Sequence, residues 1–283
     1  MSTTGRRSGA ALGVGIVGLG AMGRPIAEYL LKAGHPTTVL DLDADAVAAV
    51  VAQGATAAGE LADVADNDLV LIIVPTDEDV RTVSLGEDGL IAHPRAGSVW
   101  MISASVTPQT CSDIAEAGAA VGVDVLDGAL TGGVRGADAG EINLLVGGDD
   151  AVLERIRPGL DPWCKAVHHL GGLGAGQVGK TVNNMCHWIQ IAGVHEALLL
   201  GQRLGVAPSK LRAALADSPA QSRTVAEIDK MRFTWWRKDI DNAHAMAEPI
   251  GYEMPVTDLV YGLMPTITVD RIAALVADHD PDR

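Results

Sequence analysis

The 283-residue sequence predicts a doubly wound parallel α/β sheet followed by an all-α C-terminal domain, with one long interdomain helix joining them. Two observations predict the sheet. Short apolar runs alternate with alanine-rich helical windows, and residues 68–75 (DLVLIIVP) form the unbroken apolar run of a strand buried on both faces. A third observation predicts the helical part, because convincing strand patterns stop near Gly171.

The predicted strands share a short apolar core next to glycine or a polar turn. They cover residues 13–18, 37–41, 68–75, 98–103, 123–126 and 142–146. The predicted helices are mostly alanine-rich windows without a strand pattern, and the first of them ends at Gly34. They cover residues 22–33, 43–53, 179–204, 210–216, 222–232, 239–247, 256–263 and 268–278. Residues 179–204 contain no proline, so they are expected to form one continuous helix.

Composition excludes several classes of protein. Apolar residues make up 48% of the chain, which is too many for a disordered protein. A net charge of −15 and 3% aromatic residues disfavour nucleic acid and anionic membrane surfaces as partners. No apolar run approaches the roughly 20 residues of a transmembrane helix. The start, MSTTGRRSGAALG, lacks the apolar segment of a signal peptide, and residues 1–12 are expected to be a disordered tail.

The three cysteines, Cys111, Cys164 and Cys186, are too few and too scattered for a disulfide framework. No cluster of cysteine and histidine has metal-ligand spacing. We therefore expect free thiols, a cytoplasmic protein and no metal site.

A glycine-rich loop predicts a dinucleotide site of Rossmann type. The motif G-x-G-x-x-G follows an apolar strand and opens a helix, where glycine permits a tight turn, a close approach to pyrophosphate and close helix packing. Its residues are Gly18, Leu19, Gly20, Ala21, Met22 and Gly23. The helix start offers free N–H groups to an anion. Asp41 ends the second strand, 23 residues after Gly18, close to the spacing of an acid that binds the adenosine ribose. A carboxylate there repels a 2′-phosphate, so NAD is predicted and NADP is less favoured.

Two further motifs carry a resemblance to a known family. The segment DGALTGGVRGADAG, residues 127–140, resembles the substrate-binding signature of the β-hydroxyacid dehydrogenases. The segment GAGQVGKTVNN, residues 174–184, resembles their catalytic motif. Together with the glycine loop, these two motifs occur in an order that resembles the pattern of enzymes of the 3-hydroxyisobutyrate dehydrogenase type. Those enzymes belong to the 6-phosphogluconate dehydrogenase superfamily.

The resemblance implies a role for each matching residue. Lys180 and Asn184 match the catalytic pair, and Thr131, Gly132 and Gly133 match the substrate-carboxylate anchor, with Thr131 in place of the usual serine. The remaining matches imply cofactor contacts, made by Val74, Pro75, Asp79, Ser105 and Lys238. Asp79 stands where the family usually has asparagine. The stretch between Lys180 and Lys238 is shorter than is usual for the family.

These residues suit oxidation of a β-hydroxy acid. The reaction needs a hydride acceptor, a base for the hydroxyl proton and a carboxylate anchor, and a bound nicotinamide cofactor supplies the first. A partly buried Lys180 beside a cationic nicotinamide ring would have a lowered pKa and act as the base. Asn184 follows four residues later on the same helix face. Glycine N–H groups beside the Thr131 hydroxyl make an anion nest.

The resulting prediction is an NAD-dependent oxidoreductase that interconverts a small β-hydroxy acid and its semialdehyde or keto acid. Two alternatives stay open: an imine reductase of the same architecture, and a non-catalytic NAD-binding module. Residues 13–172 are expected to bind NAD, and residues 173–283 to form the helical substrate and dimerisation domain. The expected partners are a small carboxylate substrate and a second copy of the chain, in a homodimer or a higher homo-oligomer.

Overall fold

The computed structural model describes residues 11–281. Residues 1–10 of the predicted tail therefore lie outside the described residues. Leu12 is already part of the folded chain, because it packs against the first apolar core and its backbone N–H donates to Nδ1 of His35 at 3.1 Å. The described residues divide into two compact units, one up to Lys180 and one from Thr181 onwards.

The first unit is built on one eight-stranded sheet with the strand order β3-β2-β1-β4-β5-β6-β7-β8. The strands are β1 Val14–Val17, β2 Thr37–Leu40, β3 Thr56–Ala57, β4 Leu69–Ile72, β5 Val99–Ile102, β6 Asp124–Thr131, β7 Ile142–Gly147 and β8 Cys164–Gly171. The helices that follow these strands are α1 Gly23–Lys32, α2 Ala44–Val51, α3 Leu61–Ala65, α4 Asp77–Leu85, α5 Pro108–Ala120, α6 Gly133–Asp138 and α7 Asp150–Leu160. This order confirms the predicted doubly wound α/β fold.

Strand β4 shows why the sheet carries a core on each face. All four of its residues are buried, and successive side chains point to opposite faces of a strand. Leu69 and Leu71 accordingly belong to one apolar cluster, whereas Val70 and Ile72 belong to the other. A strand that buries both faces needs the continuous apolar run that the sequence has at this position.

The sheet departs from a parallel arrangement at one pair of strands. Strands β6 and β7 are antiparallel, with Asp127 opposite Gly147 and Thr131 opposite Asn143. A parallel crossover needs a connection of a dozen or more residues, whereas only the short α6 and its flanking turns join these two strands. The predicted parallel arrangement therefore does not hold at this pair, whereas the other six pairings are parallel as predicted.

The sequence analysis did not predict either of the two edge strands. Strand β3 has two exposed residues, and β8 (CKAVHHLG) has no fully buried residue. An edge strand that faces solvent lacks the apolar run by which the inner strands were predicted. The long helix α8, Ala175–Arg203, begins four residues before the predicted start.

The second unit is helical. After the shared helix α8 come α9 Pro208–Ala216, α10 Arg223–Glu227, α11 Trp236–Ala247, α12 Pro255–Leu263 and α13 Val269–Val276. Its core holds mainly aliphatic side chains with one buried tryptophan, Trp188. Within residues 11–281, no single helix is long and apolar enough to cross a membrane. Residues 255–276, a helix pair bent by 83°, pass that test together by length and composition, although several of their side chains, such as Met264 and Ile272, lie in this core.

Candidate active site

The carboxyl ends of the central strands lie side by side at one edge of the sheet. Leu40 pairs with Val17, Val17 with Ile72, Ile72 with Ile102, and Ile102 with Asp127. The strand order changes direction between β1 and β4, and open α/β sheets bind ligands at such a switch point. The loops that follow this row carry the predicted cofactor residues.

The glycine loop has the shape of a pyrophosphate cradle. Gly18 has a φ of 100°, and a Cβ there would overlap the carbonyl oxygen of Ile73. A Cβ on Gly23 would overlap the carbonyl oxygen of Gly18, so the helix starts in close contact with the strand end. Gly20 instead has open space where a Cβ would be. With no acidic residue in the first turn of α1, the loop and the helix start fit a dinucleotide pyrophosphate.

Asp41 is tied to this loop. Its Oδ2 atom accepts a hydrogen bond from the backbone N–H of Leu19, and its Oδ1 atom accepts one from the N–H of Asp43 at 2.8 Å. A carboxylate has about four acceptor positions, so two remain for hydroxyl groups of a ribose. The side chain therefore both closes the glycine loop and presents a negative charge beside it.

The loop after β4 and the first turn of α4 hold three of the predicted cofactor residues. Val74 packs against the second apolar core, and Pro75 is exposed. Asp79 closes a capping box at the start of α4: its Oδ2 accepts the N–H of Thr76 at 3.1 Å, and its own N–H donates to the Thr76 hydroxyl at 3.1 Å. The structure thus gives Asp79 a role in ending the loop, and its contact with the cofactor stays a prediction.

Ser105 lies half-buried between two buried neighbours in the loop after β5. The side chain of Gln177, in the first turn of α8, contacts both neighbours. Its Nε2 donates to the carbonyl oxygen of Ala104 at 2.9 Å, and its Oε1 accepts the N–H of Val106 at 3.2 Å. The predicted cofactor loop is therefore hydrogen-bonded to the helix that carries Lys180.

Lys180 is half-buried, and its Nζ donates a hydrogen bond to the carbonyl oxygen of Leu130 at 3.0 Å. Leu130 directly precedes Thr131, so the amine lies beside the start of the predicted carboxylate anchor. The structure thus brings together two motifs that are 50 residues apart in the sequence.

The predicted anchor is a tight turn between β6 and α6. Gly132 and Gly133 have φ angles of 111° and 65°, which disfavour any residue with a Cβ. The Thr131 hydroxyl donates to the carbonyl oxygen of Asn143 at 2.9 Å on the neighbouring strand. Arg135 follows on α6 and is exposed.

Asp127 is the fully buried acid beneath this region. Its Oδ1 accepts the N–H of Gly174 at 2.6 Å, and its Oδ2 accepts the N–H of Gln177 at 2.8 Å. Burial raises the pKa of this carboxyl above its ordinary value, although the backbone N–H donors oppose that shift. Asp127 therefore binds the N-terminal N–H groups of α8, which a helix cannot satisfy within itself.

Two predicted site residues belong to the second unit. Asn184 is buried on α8, and its Oδ1 accepts a hydrogen bond from the side chain of exposed Asn183 at 3.0 Å. Lys238 is half-buried on α11, and the next residue, Asp239, accepts a hydrogen bond from Nε1 of Trp188 at 3.0 Å. That bond ties the first turn of α11 to the helix that carries Asn184.

Sequence reasoning gave no role to Asp127 or Gln177, although both lie inside the two motifs it singled out. The available signal was local: Asp127 is flanked by apolar and small residues (VLDGAL), and Gln177 is flanked likewise (GAGQVG). A polar side chain in such surroundings is expected to be buried and to need hydrogen-bond partners. In residues 11–281, no group of three or more His, Cys, Asp or Glu side chains forms a metal site.

A cavity of about 620 Å³ lies beside the glycine loop. Its walls come from the loop itself, from the whole length of α1, from the start of α2, and from α6. Charged groups of both signs line it, among them Arg24, Lys32, Asp43 and Asp138. Lys180 and Ser105 are not among its lining residues.

Two family models match the chain. Residues 13–171 match the NAD-binding domain of 6-phosphogluconate dehydrogenase, and residues 174–279 match the "NAD-binding of NADP-dependent 3-hydroxyisobutyrate dehydrogenase" model. The chain belongs to the β-hydroxyacid dehydrogenase family. The family identification, the fold class and NAD binding predicted from the sequence are thereby confirmed.

Relatives within this family support the same conclusion. The 3-hydroxyisobutyrate dehydrogenase of Pseudomonas aeruginosa is 38% identical over 206 residues, which are 72% of this chain and 69% of that enzyme. The 2-(hydroxymethyl)glutarate dehydrogenase of Eubacterium barkeri is 37% identical over 219 residues, 77% of this chain and 73% of the relative. The structure of Mycobacterium tuberculosis 3-hydroxyisobutyrate dehydrogenase with L-serine superposes with a TM-score of 0.83 at 25% identity, covering 96% of this chain and 97% of that one. The chain is thus an NAD-dependent dehydrogenase of the β-hydroxyacid type.

Proposed function

We propose that this dehydrogenase interconverts a short aliphatic β-hydroxy acid and its semialdehyde or keto acid, with Lys180 as the general acid/base. One observation carries the proposal most: the Lys180 amine donates to the Leu130 carbonyl oxygen at 3.0 Å, next to Thr131. A proton-transfer group here lies beside a turn that offers glycine N–H groups. The first suits a substrate hydroxyl and the second suits a carboxylate, so the arrangement fits a substrate in which these two groups are close neighbours.

The turn after β6 is the proposed carboxylate anchor. Backbone N–H groups of Gly132 and Gly133 offer donors without a side chain in the way. The Thr131 hydroxyl donates to Asn143, so it turns its proton toward the carboxylate only when it leaves that carbonyl. The added methyl of threonine narrows the anchor relative to serine and favours a short substrate.

In the oxidative direction, the neutral Lys180 amine accepts the proton of the substrate hydroxyl as the carbonyl forms. Bound NAD would supply the hydride acceptor for the carbon that carries this hydroxyl. In the reductive direction, the Lys180 ammonium returns the proton to the oxygen. Asn184 is proposed to orient the hydroxyl by a hydrogen bond. Its place four residues after Lys180 in a continuous helix supports this role.

NAD is the proposed cofactor over NADP. The Asp41 carboxylate beside the glycine loop supports this preference, because two negative charges in one ribose pocket repel each other. The other proposed cofactor residues are Val74 and Pro75 after β4, Asp79 in the first turn of α4, Ser105 after β5, and Lys238 on α11.

The deciding experiment follows nicotinamide absorbance with purified protein, NAD or NADP, and a panel of hydroxy acids. The panel contains 3-hydroxyisobutyrate, 3-hydroxypropionate, glycerate, L-serine, threonate and 2-(hydroxymethyl)glutarate. Reduction of NAD by one member, lost in Lys180→Ala, would support the proposal. NAD binding without turnover on any member would contradict it and direct the search to imine substrates or to a non-catalytic role.

We also propose that the chain forms a homodimer or a higher homo-oligomer in the cytoplasm. Large exposed apolar side chains on the second unit support self-association: Leu200, Leu204 and Leu259 are 60%, 73% and 63% exposed. Free thiols at Cys111, Cys164 and Cys186 fit a reducing compartment. A monomer mass in light scattering at working concentration would contradict the assembly.

A further inference from the structure

Gln177 connects two parts of the site that lie far apart in the sequence. It is 1% exposed and lies three residues before Lys180 on α8. Its side-chain amide bonds to the carbonyl of Ala104 and to the N–H of Val106, the two residues that flank Ser105. One side chain thus contacts the loop after β5 at both neighbours of the predicted ribose contact.

The two bonds fix the position and the direction of that loop. A carbonyl can only accept and an N–H can only donate, so the amide satisfies both with one orientation of its oxygen and nitrogen. Ala104 and Val106 are both buried, at 7% and 2% exposure. Water therefore has little access to these backbone groups. Loss of the Gln177 amide would leave the buried carbonyl of Ala104 and the buried N–H of Val106 without their present partner.

Gln177 is itself held from the opposite side. Its backbone N–H donates to the carboxylate of Asp127 at 2.8 Å, and the same carboxylate accepts the N–H of Gly174. The residue therefore joins the cofactor loop to a helix turn whose own position is set by the fully buried acid of β6.

We propose that Gln177 is a positioning residue that holds the Ser105 loop in fixed register with the helix turn carrying Lys180. This inference rests on the proposed function, because it assigns the cofactor ribose to Ser105 and the proton transfer to Lys180. Its consequence is that Gln177 controls cofactor affinity without touching the reacting atoms.

The test compares Gln177→Met, which keeps the side-chain length and removes both bonds, with Gln177→Glu, which keeps the acceptor for Val106. Amide hydrogen exchange of the free protein measures the loop at residues 103–107, and NADH fluorescence measures the dissociation constant. In Gln177→Met, exchange in this loop should accelerate, and the NADH dissociation constant should rise about tenfold. At a pH where its carboxyl is protonated and can donate to Ala104, Gln177→Glu should fall between the wild type and Gln177→Met.

Asn67 provides the matched control. It is a buried amide of the same unit that precedes β4, and it donates to the carbonyl oxygen of Val64 at 2.9 Å. The carboxyl ends of the strands lie at the opposite edge of the sheet. Asn67→Leu should lower the urea midpoint of unfolding and leave NADH affinity unchanged. Gln177→Met should raise the KM for NAD much more than it lowers kcat at saturating NAD.

Two results would overturn the inference: unchanged exchange at residues 103–107 in Gln177→Met, or equal loss of NADH affinity in Gln177→Met and Asn67→Leu. If Gln177→Met does not fold, Gln177→Glu decides by the same measurements. Exchange and NADH binding need no substrate. A wild-type protein that turns over no hydroxy acid would therefore contradict the proposed function and still leave the role of Gln177 measurable.

Discussion

Lys180 and Leu130 are joined by a hydrogen bond of 3.0 Å from the lysine Nζ to the leucine carbonyl oxygen. The bond connects the first turns of the long helix to the C-terminal end of β6, so the proposed acid/base group lies beside the proposed carboxylate anchor. A lysine held in this way presents its amine in a defined direction, which general acid/base catalysis requires.

Replacing Lys180 with methionine should lower kcat by roughly 10²–10⁴-fold, because the substrate hydroxyl then has no positioned proton acceptor. The NADH dissociation constant should change less than about twofold, since no proposed cofactor contact is lost. Steady-state kinetics and NADH fluorescence check the two expectations. Lys165→Met, at an exposed lysine of β8, is the matched control and should leave kcat unchanged. Equal activity of the two variants would remove Lys180 from the mechanism.

Replacing Asp41 with alanine should shift the cofactor preference toward NADP. The carboxylate beside Leu19 repels a 2′-phosphate, and its removal should lower the ratio of kcat/KM for NAD over NADP by about tenfold or more. Parallel assays with both cofactors measure the ratio. Glu116→Ala, at an exposed position of α5 away from this loop, is the control. A wild-type protein that uses NADP as well as NAD would contradict the ribose argument.

The thiols should differ sharply in reactivity. Cys111 and Cys164 have a pKa raised far above the ordinary range, chiefly by burial, so little thiolate forms at neutral pH. Cys186 is exposed. Titration of the native protein with an aromatic disulfide reagent should release about one equivalent quickly, and the denatured protein should release all three. A native protein in which Cys186→Ser leaves the fast phase intact would disprove this assignment.

The inner fold and the order of the site motifs were predictable because they depend on local signals. The glycine loop stands between an apolar strand and a helix, and the run at residues 68–75 is long enough to identify β4. The edge strands β3 and β8 were not predictable in this way. Their side chains are exposed or only partly buried, so they lack a continuous apolar run. They are held in the sheet by backbone hydrogen bonds to a neighbouring strand whose position no local pattern reveals.

The start of α8 was missed for a different reason. Glycines at 174, 176 and 179 argue against helix by propensity alone. In the structure a Cβ on Gly176 would overlap the carbonyl oxygen of Leu145, so glycine is needed for close packing there. Asp127 also binds the N–H groups of Gly174 and Gln177. Tertiary contacts thus override the local preference.

Asp127 should make stability depend on pH in an unusual direction for a carboxylate. Burial raises the folded-state pKa of Asp127, so the folded protein holds the carboxyl proton more tightly than the unfolded chain does. The resulting contribution to the free energy of unfolding is fully present below the unfolded-state pKa of about 3.9, and it is lost as pH rises through the folded-state pKa. Asp127→Asn removes this titration, and it should also cost about 1–3 kcal/mol because the amide cannot accept both backbone N–H groups. The stability advantage of the wild type should therefore shrink between pH 4 and pH 8 in urea unfolding. An advantage that grows over this range would show that the hydrogen bonds from Gly174 and Gln177 outweigh desolvation.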